Sequence, residues 1–210
     1  ATYEIQYGNV TRPTHYNTSW DFARFEVCAH KWIDISENGY GISVLNDCKY
    51  GCDIHNGEIG LTMLKSAVYP NPDADKEHHS FTWSIAPHEG GWREGNTVAK
   101  AYVLNNPYQT AVKENEGGNL PVSYSFVQAD KENVVIEAVK KAEDSDAVIV
   151  RLYECYNRRG QTTLTFPRPV KRAVICNMLE EKMEEVLCCE VNKVPVQLKP
   201  YEIVTIKIEF

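Results

Sequence analysis

No apolar run in this sequence approaches the roughly 18 residues that a membrane-crossing helix needs. Nor does the opening, Ala1-Thr-Tyr-Glu-Ile-Gln-Tyr7, carry the basic start and apolar stretch of a secretory leader. It begins in the alternating pattern of a strand, which suggests a chain cut from a longer one. Cations are in the minority: 22 Lys and Arg stand against 29 Asp and Glu, for a formal net charge of −7. That balance argues against nucleic acid or an anionic membrane as partner and suits a neutral ligand such as a sugar. Catalytic signatures are missing as well. There is no Gly-x-Ser-x-Gly elbow, no His-Glu-x-x-His pair and no phosphate-cradling glycine loop. Acids are plentiful, but nothing singles out the pair that glycoside hydrolysis requires.

An even cysteine framework is absent too. The seven cysteines are Cys28, Cys48, Cys52, Cys155, Cys176, Cys188 and Cys189, an odd count with an adjacent pair. Secreted disulfide scaffolds normally show even counts, so free thiols in a reducing cytoplasm fit better. On that reading the sequons Asn9-Val-Thr11 and Asn17-Thr-Ser19 are unused.

What is present reads as β-structure. Apolar residues make up 43% and charged residues 24%, the balance of a folded chain. Two Asn-Gly turns, at 38–39 and 56–57, separate short apolar runs, and together residues 22–65 predict a four-strand meander. Tyr69-Pro-Asn-Pro predicts a loop, and Ser80–Ala86 a strand that stops at Pro87. Residues 96–112 read equally as strand or short helix. Glu114-Asn-Glu-Gly-Gly-Asn119 reads as a linker. Beyond it, seven short strands predict a small sandwich, with only Leu179–Leu187 reading as a helical turn. The expected organisation is all-β, with a sheet domain over 1–115 and a sandwich over 116–210.

Two clusters invite a metal reading. Cys48-x-x-x-Cys52 with His55, joined by Cys28 and His30, has soft ligands, but the spacing fits no zinc knuckle. Buried thiols in a reduced sheet are the preferred reading. His78-His79 among Asp73, Asp75 and Glu77 reads as a solvated loop, because adjacent side chains on an extended chain point apart. No metal ligand and no catalytic residue is assigned. The segment 11–32 is rich in Arg, His, Trp and Asn, the residue types that hold sugars, although bracing one domain against another is the preferred reading for most of them.

It is in this segment that a resemblance appears. Arg12-Pro-Thr-His15-x-Asn17-Thr-Ser-Trp20, Arg24-Phe-Glu-Val27, His30-Lys-Trp32 and Gly39-Tyr-Gly-Ile-Ser-Val-Leu-Asn-Asp-Cys-Lys-Tyr-Gly51 resemble the C-terminal region of family 38 α-mannosidases of the cytosolic-type and bacterial branch. Glu132–Lys140, Arg151-Leu-Tyr-Glu154 and Lys199-Pro-Tyr-Glu-Ile203 resemble that family's last domain. The resemblance implies the later part of a large galactose-mutarotase-like sandwich followed by a small terminal one. It implies a retaining exo-α-mannosidase acting on terminal α-mannosides, with zinc and the aspartate nucleophile in an N-terminal α/β domain. That domain is the implied partner, together with an α-mannoside glycan, and this region alone is expected to be inactive and to need no cofactor. It further implies that Asn46, Asp47 and Lys49 sit on the substrate side or at a domain interface. A free-standing carbohydrate-binding module and a protein-interaction sandwich are the rival readings. Self-association through Tyr3, Ile5, Phe22 and Phe25 is expected where neighbouring strands are missing.

Overall fold

The computed structural model describes residues 1–112, 117–119, 121–186 and 190–210, in two compact units, Ala1–Ala111 and Val112–Phe210. Glu114–Glu116 of the expected linker, Leu187, Cys188 and Cys189 lie outside the described residues.

The first unit runs β1 (Thr2–Ile5), β2 (Gly8–Thr11), α1 (Ser19–Ala23), β3 (Val27–Cys28), β4 (Trp32–Glu37), β5 (Tyr40–Asn46), β6 (Gly51–His55), β7 (Glu58–Leu61), β8 (Trp83–Glu89) and α2 (Thr97–Asn105). These strands form two antiparallel sheets, β2-β1-β4-β5-β8 and β3-β6-β7. The predicted meander is therefore split between two sheets. Both edges of β5 are taken, by β4 and by β8, so β6 cannot pair there and joins β3 instead. The Asn56–Gly57 turn has positive φ at both residues, as a tight hairpin requires, whereas at Asn38–Gly39 only the glycine does. The β8 strand runs on through Pro87, which the sequence had marked as its end. An edge strand tolerates the missing N–H.

Register explains the burial. Tyr3, Ile33 and Val44 are aligned partners and face Cys52 and Ile54 of the small sheet. The alternation of a strand puts Trp32, Asp34, Ser43 and Leu45 on the opposite face. There α2 packs with Thr97, Val98 and Ala101 buried, and Trp92 meets Trp32 at 5.1 Å. The ambiguity over 96–112 is thus settled as a helix by the face it covers. Tyr3 is a core residue, so the expectation that it lies at a contact surface is corrected.

The second unit runs β9 (Gln128–Ala129), β10 (Val134–Lys141), β11 (Val148–Glu154), β12 (Gly160–Thr165), β13 (Arg172–Cys176), β14 (Lys182–Val186), β15 (Lys193–Leu198) and β16 (Ile203–Glu209). It is the predicted sandwich: sheet β10-β11-β16-β13-β14 faces sheet β15-β12-β9. Val150, Leu152, Ile206 and Ile208 of one sheet pack with Leu164, Val194 and Val196 of the other. The expected helical turn over 179–187 is overturned, since 182–186 form β14 against β13. An open sheet edge outweighs a weak local helical preference.

Candidate functional site

The turn after β5 holds the three residues singled out from the sequence. Asn46 is buried and shapes it: its amide donates to the His30 carbonyl at 2.6 Å, and its Oδ1 accepts from the Lys49 N–H at 2.7 Å. Its carbonyl accepts from the Asn105 amide, so the end of α2 is tied to the same point. Asp47 joins the turn to the approach to β8, accepting from the Thr82 N–H at 2.9 Å and donating its own N–H to the Thr82 carbonyl at 3.1 Å. The Cys48 thiol beside it and that Thr82 N–H hold the Asp47 carboxyl below the usual carboxylate range. Its Oδ1 is shielded from solvent and completes no hydrogen bond among the described residues. Lys49 reaches over the Phe81 ring at 5.0 Å. Tyr50 and Trp83, both half exposed, flank the turn, Trp83 as the register partner of Asn46. The turn thus holds a carboxylate oxygen without a donor among the described residues and an ammonium group, with Tyr50 beside them in sequence and Trp83 opposite Asn46 in register.

The Arg/His/Trp-rich segment is gathered by β1, β3 and β6. Arg12, His15, Tyr16, Asp21, Arg24 and Asp53 line a small pocket, and Tyr16 stacks on His55 at 3.8 Å between centroids. Arg12 Nε is buried and has no hydrogen-bond partner among the described residues.

A third cluster was not legible in the sequence. Asp34, Ser43 and Thr97 are fully buried, and the first two meet the His88 ring. Asp34 accepts from Ser36, from Ser43 at 2.6 Å and from His88 Nε2 at 2.8 Å. Thr97 lies 2.6 Å from Ser43, which places its hydroxyl as the donor, since Ser43 spends its one proton on Asp34. The residue types suggest a hydrolase triad, but the geometry does not fit one. A relay needs the imidazole to bridge acid and serine through opposite ring nitrogens. Here both contacts fall on Nε2, with Ser43 at 3.1 Å, while Nδ1 faces the Glu89 carbonyl. With Ser43 sealed from solvent, this is a polar clamp of the fold.

The cysteines divide by burial. Cys28 and Cys48 are exposed, and Cys52, Cys155 and Cys176 are buried. Burial, with Cys28 and Asp53 nearby, pushes the Cys52 thiol up to about 12. Burial also raises Cys176. Cys48, despite its exposure, is raised by its hydrogen bond to Asp47. Because the thiolate is the reactive form, alkylation of the folded chain at about pH 8 should label Cys28 first and Cys48 more slowly. The three buried thiols should be spared until denaturant is added. Peptide mass spectrometry reads the order, and labelling of Cys52 as fast as Cys28 contradicts it. Among the described residues no three His, Cys, Asp or Glu side chains converge as a metal set. His79 is spent on the Asp75 carbonyl, and Cys52 points into the core while Cys48 faces out.

Comparison with known proteins places these features. The family description "Glycosyl hydrolases family 38 C-terminal domain" matches residues 1–73, and "Glycosyl hydrolases family 38 C-terminal beta sandwich domain" matches residues 133–206. Alpha-mannosidase G of Dictyostelium discoideum is 40% identical over 99% of this chain, and alpha-mannosidase 2C1 of Homo sapiens is 40% identical over 86% of it. The chain spans about a fifth of the length of these relatives, 19% and 17% respectively. The crystal structure of an alpha-mannosidase from Enterococcus faecalis V583 superposes with a TM-score of 0.79 over 99% of this chain and 24% of that one, at 19% identity, which speaks for the fold alone. The motif-bearing turn between β5 and β6 falls inside the first matched span, and β10 to β15 fall inside the second. The chain belongs to glycosyl hydrolase family 38, of which it forms the C-terminal β-region.

Proposed function

We propose that this chain is the non-catalytic C-terminal part of a retaining exo-α-mannosidase that acts on terminal α-mannosides in the cytoplasm. In this reading zinc and the nucleophile belong to an N-terminal catalytic domain, and the Asn46–Gly51 turn lines the substrate side of the cleft or its domain boundary. The observation that carries the role of the turn is the shielded Asp47 Oδ1 without a hydrogen-bond donor. Buried polar atoms are rarely left unpaired, so a donor from outside this chain is expected there. A sugar hydroxyl or a group of the catalytic domain supplies it. Tyr50 and Trp83 offer the ring faces on which pyranose C–H groups stack. Asn46 fixes the turn, and Asp47 and Lys49 make the outward contacts.

Kinetics on the full-length enzyme test this. The Asp47→Ala/Lys49→Ala variant should lower kcat and kcat/KM together by about tenfold or more, the pattern of a contact made in the transition state. The isolated 210-residue chain should hydrolyse no aryl α-mannoside, with or without zinc. A double variant that melts earlier but keeps wild-type kcat/KM would reduce the turn to scaffold. Turnover by the isolated chain would refute the accessory role.

A further inference from the structure

The segment between β2 and β3 displays its largest apolar side chains. Trp20 is 75% exposed, Phe22 67% and Phe25 63%. These are the residue types that drive cores and interfaces, and three so close in sequence are out of keeping with a free surface. At about 150–250 Å² per aromatic side chain, their exposed parts come to roughly 400 Å², the size at which an apolar patch marks an interaction site.

The display is built rather than loose. Helix α1 has five residues, none of them buried, so packing does not hold it. So short a helix does not stand on propensity. A reciprocal cap holds it instead: the Asp21 N–H donates to Thr18 Oγ1 at 3.2 Å, and Asp21 Oδ2 accepts from the Thr18 N–H at 3.0 Å and the Asn17 N–H at 3.2 Å. The hydrogen bonds to Asn17 and Thr18, with the Thr18 hydroxyl, hold the Asp21 carboxyl below its ordinary range. Tyr16 anchors the start of the segment on His55 and meets the Phe22 ring edge-on at 6.0 Å. At its far end β3 pairs with β6, with Cys28 opposite Gly51 at the close of the Asn46–Gly51 turn. The aromatic patch and the turn are thus fixed to one another through a strand pair.

We propose that Trp20, Phe22 and Phe25 are the anchor residues by which this region docks on the upstream part of its own full-length polypeptide. The occupant follows from length: this chain covers only 17–21% of each of its α-mannosidase relatives, and the family description places it at the C-terminal end. Most of such a polypeptide lies outside this chain and is available to cover the patch. The partner surface is apolar. Arg12 and Arg24 line the pocket beside the patch together with Asp21 and Asp53, and Arg12 Nε is buried without an acceptor among the described residues. Large aromatics with arginine beside them are the composition of an interface centre. This proposal rests on the reading of the chain as part of a longer α-mannosidase.

The test uses the full-length enzyme with the photoreactive residue p-benzoylphenylalanine in place of Trp20 and, separately, of Phe25. Irradiation should give an intrachain cross-link to a peptide upstream of Ala1. In the full-length Trp20→Ser/Phe25→Ser variant, amide exchange over residues 17–26 should speed up by about tenfold or more relative to wild type, as a docked segment is released. Trp20→Phe should keep the wild-type rate. A cross-link between two copies, or none at all with unchanged exchange, would overturn the proposal. The readout is independent of turnover. A failed cross-link with the kinetic effect of Asp47 and Lys49 intact removes the docking alone. A cross-link in a protein without mannosidase activity removes the proposed function alone.

Discussion

Alanine at Gly41 expels the His88 ring and lowers the stability of the Ala1–Ala111 unit by about 3 kcal/mol or more. A Cβ added at Gly41 would lie less than 3.0 Å from His88 Cε1 and from Ser36 Oγ, and one added at Gly95 less than 3.0 Å from His88 Cγ. The two glycines are the walls of the slot that admits the ring, and neither needs an unusual backbone angle to explain its identity. Once the ring is displaced, Asp34 stays sealed in the sheet with only the two serines as donors. Breaking a buried charged contact on one side costs about 3–5 kcal/mol, and crowding a packed interior about 1–3 kcal/mol. All four tryptophans, at 20, 32, 83 and 92, lie in this unit, so denaturation followed by their fluorescence reports on it. The double-mutant cycle with His88→Ala is decisive. Without a ring the clash at Gly41 falls to the Ser36 hydroxyl, so Gly41→Ala/His88→Ala should cost well under the sum of the single changes. Strict additivity would mean that Gly41 serves some purpose other than making room for His88.

In the second unit the corresponding change is Glu154→Ala, with an expected loss of about 3 kcal/mol or more from donors left unpaired. Glu154 is fully buried at the end of β11. Its Oε1 accepts from the Asn133 amide at 2.9 Å and the Tyr156 N–H at 2.8 Å, and its Oε2 from the Tyr201 N–H at 3.1 Å. Tyr201 holds a positive φ of 55° in the turn Lys199-Pro-Tyr-Glu202, closed by the Glu202 N–H to the Lys199 carbonyl at 3.1 Å. In this type of turn the third position favours glycine, so a tyrosine there needs an outside tether. The carboxylate supplies it, and so joins the three sequence segments that carry the resemblance to the family's last domain. Glu154→Gln should recover only part of the loss, because its NH₂ faces an N–H where a second acceptor is needed. Amide exchange along β11 and β16 provides the measurement. Exchange in Glu154→Ala indistinguishable from wild type would show that the network is dispensable.

How far the sequence could be read depended on distance along the chain. The Asn56–Gly57 hairpin, the strands from 134 to 176 and the paired runs at 193–198 and 203–209 were legible because each rests on alternation and turn chemistry within about ten residues. The family motifs were legible for the same reason: they are short contiguous strings. The three turn residues at 46, 47 and 49 came through the resemblance, and only the tertiary structure shows that Asn46 ties the turn to His30 and Lys49 while Asp47 ties it to Thr82. Residues 182–186 misled because local preference was weak and the open edge of β13 decided.

By itself the sequence determined the β character and the family. The tertiary structure alone decided which sheet each strand joined, that Tyr3 lies in the core while Trp20 does not, and which acids are sealed inside. His88 is 54 residues from Asp34, and Tyr201 is 47 from Glu154. No local propensity spans such separations. Strand edges already occupied, and buried carboxylates that must find donors, settle those contacts only when the whole chain is folded.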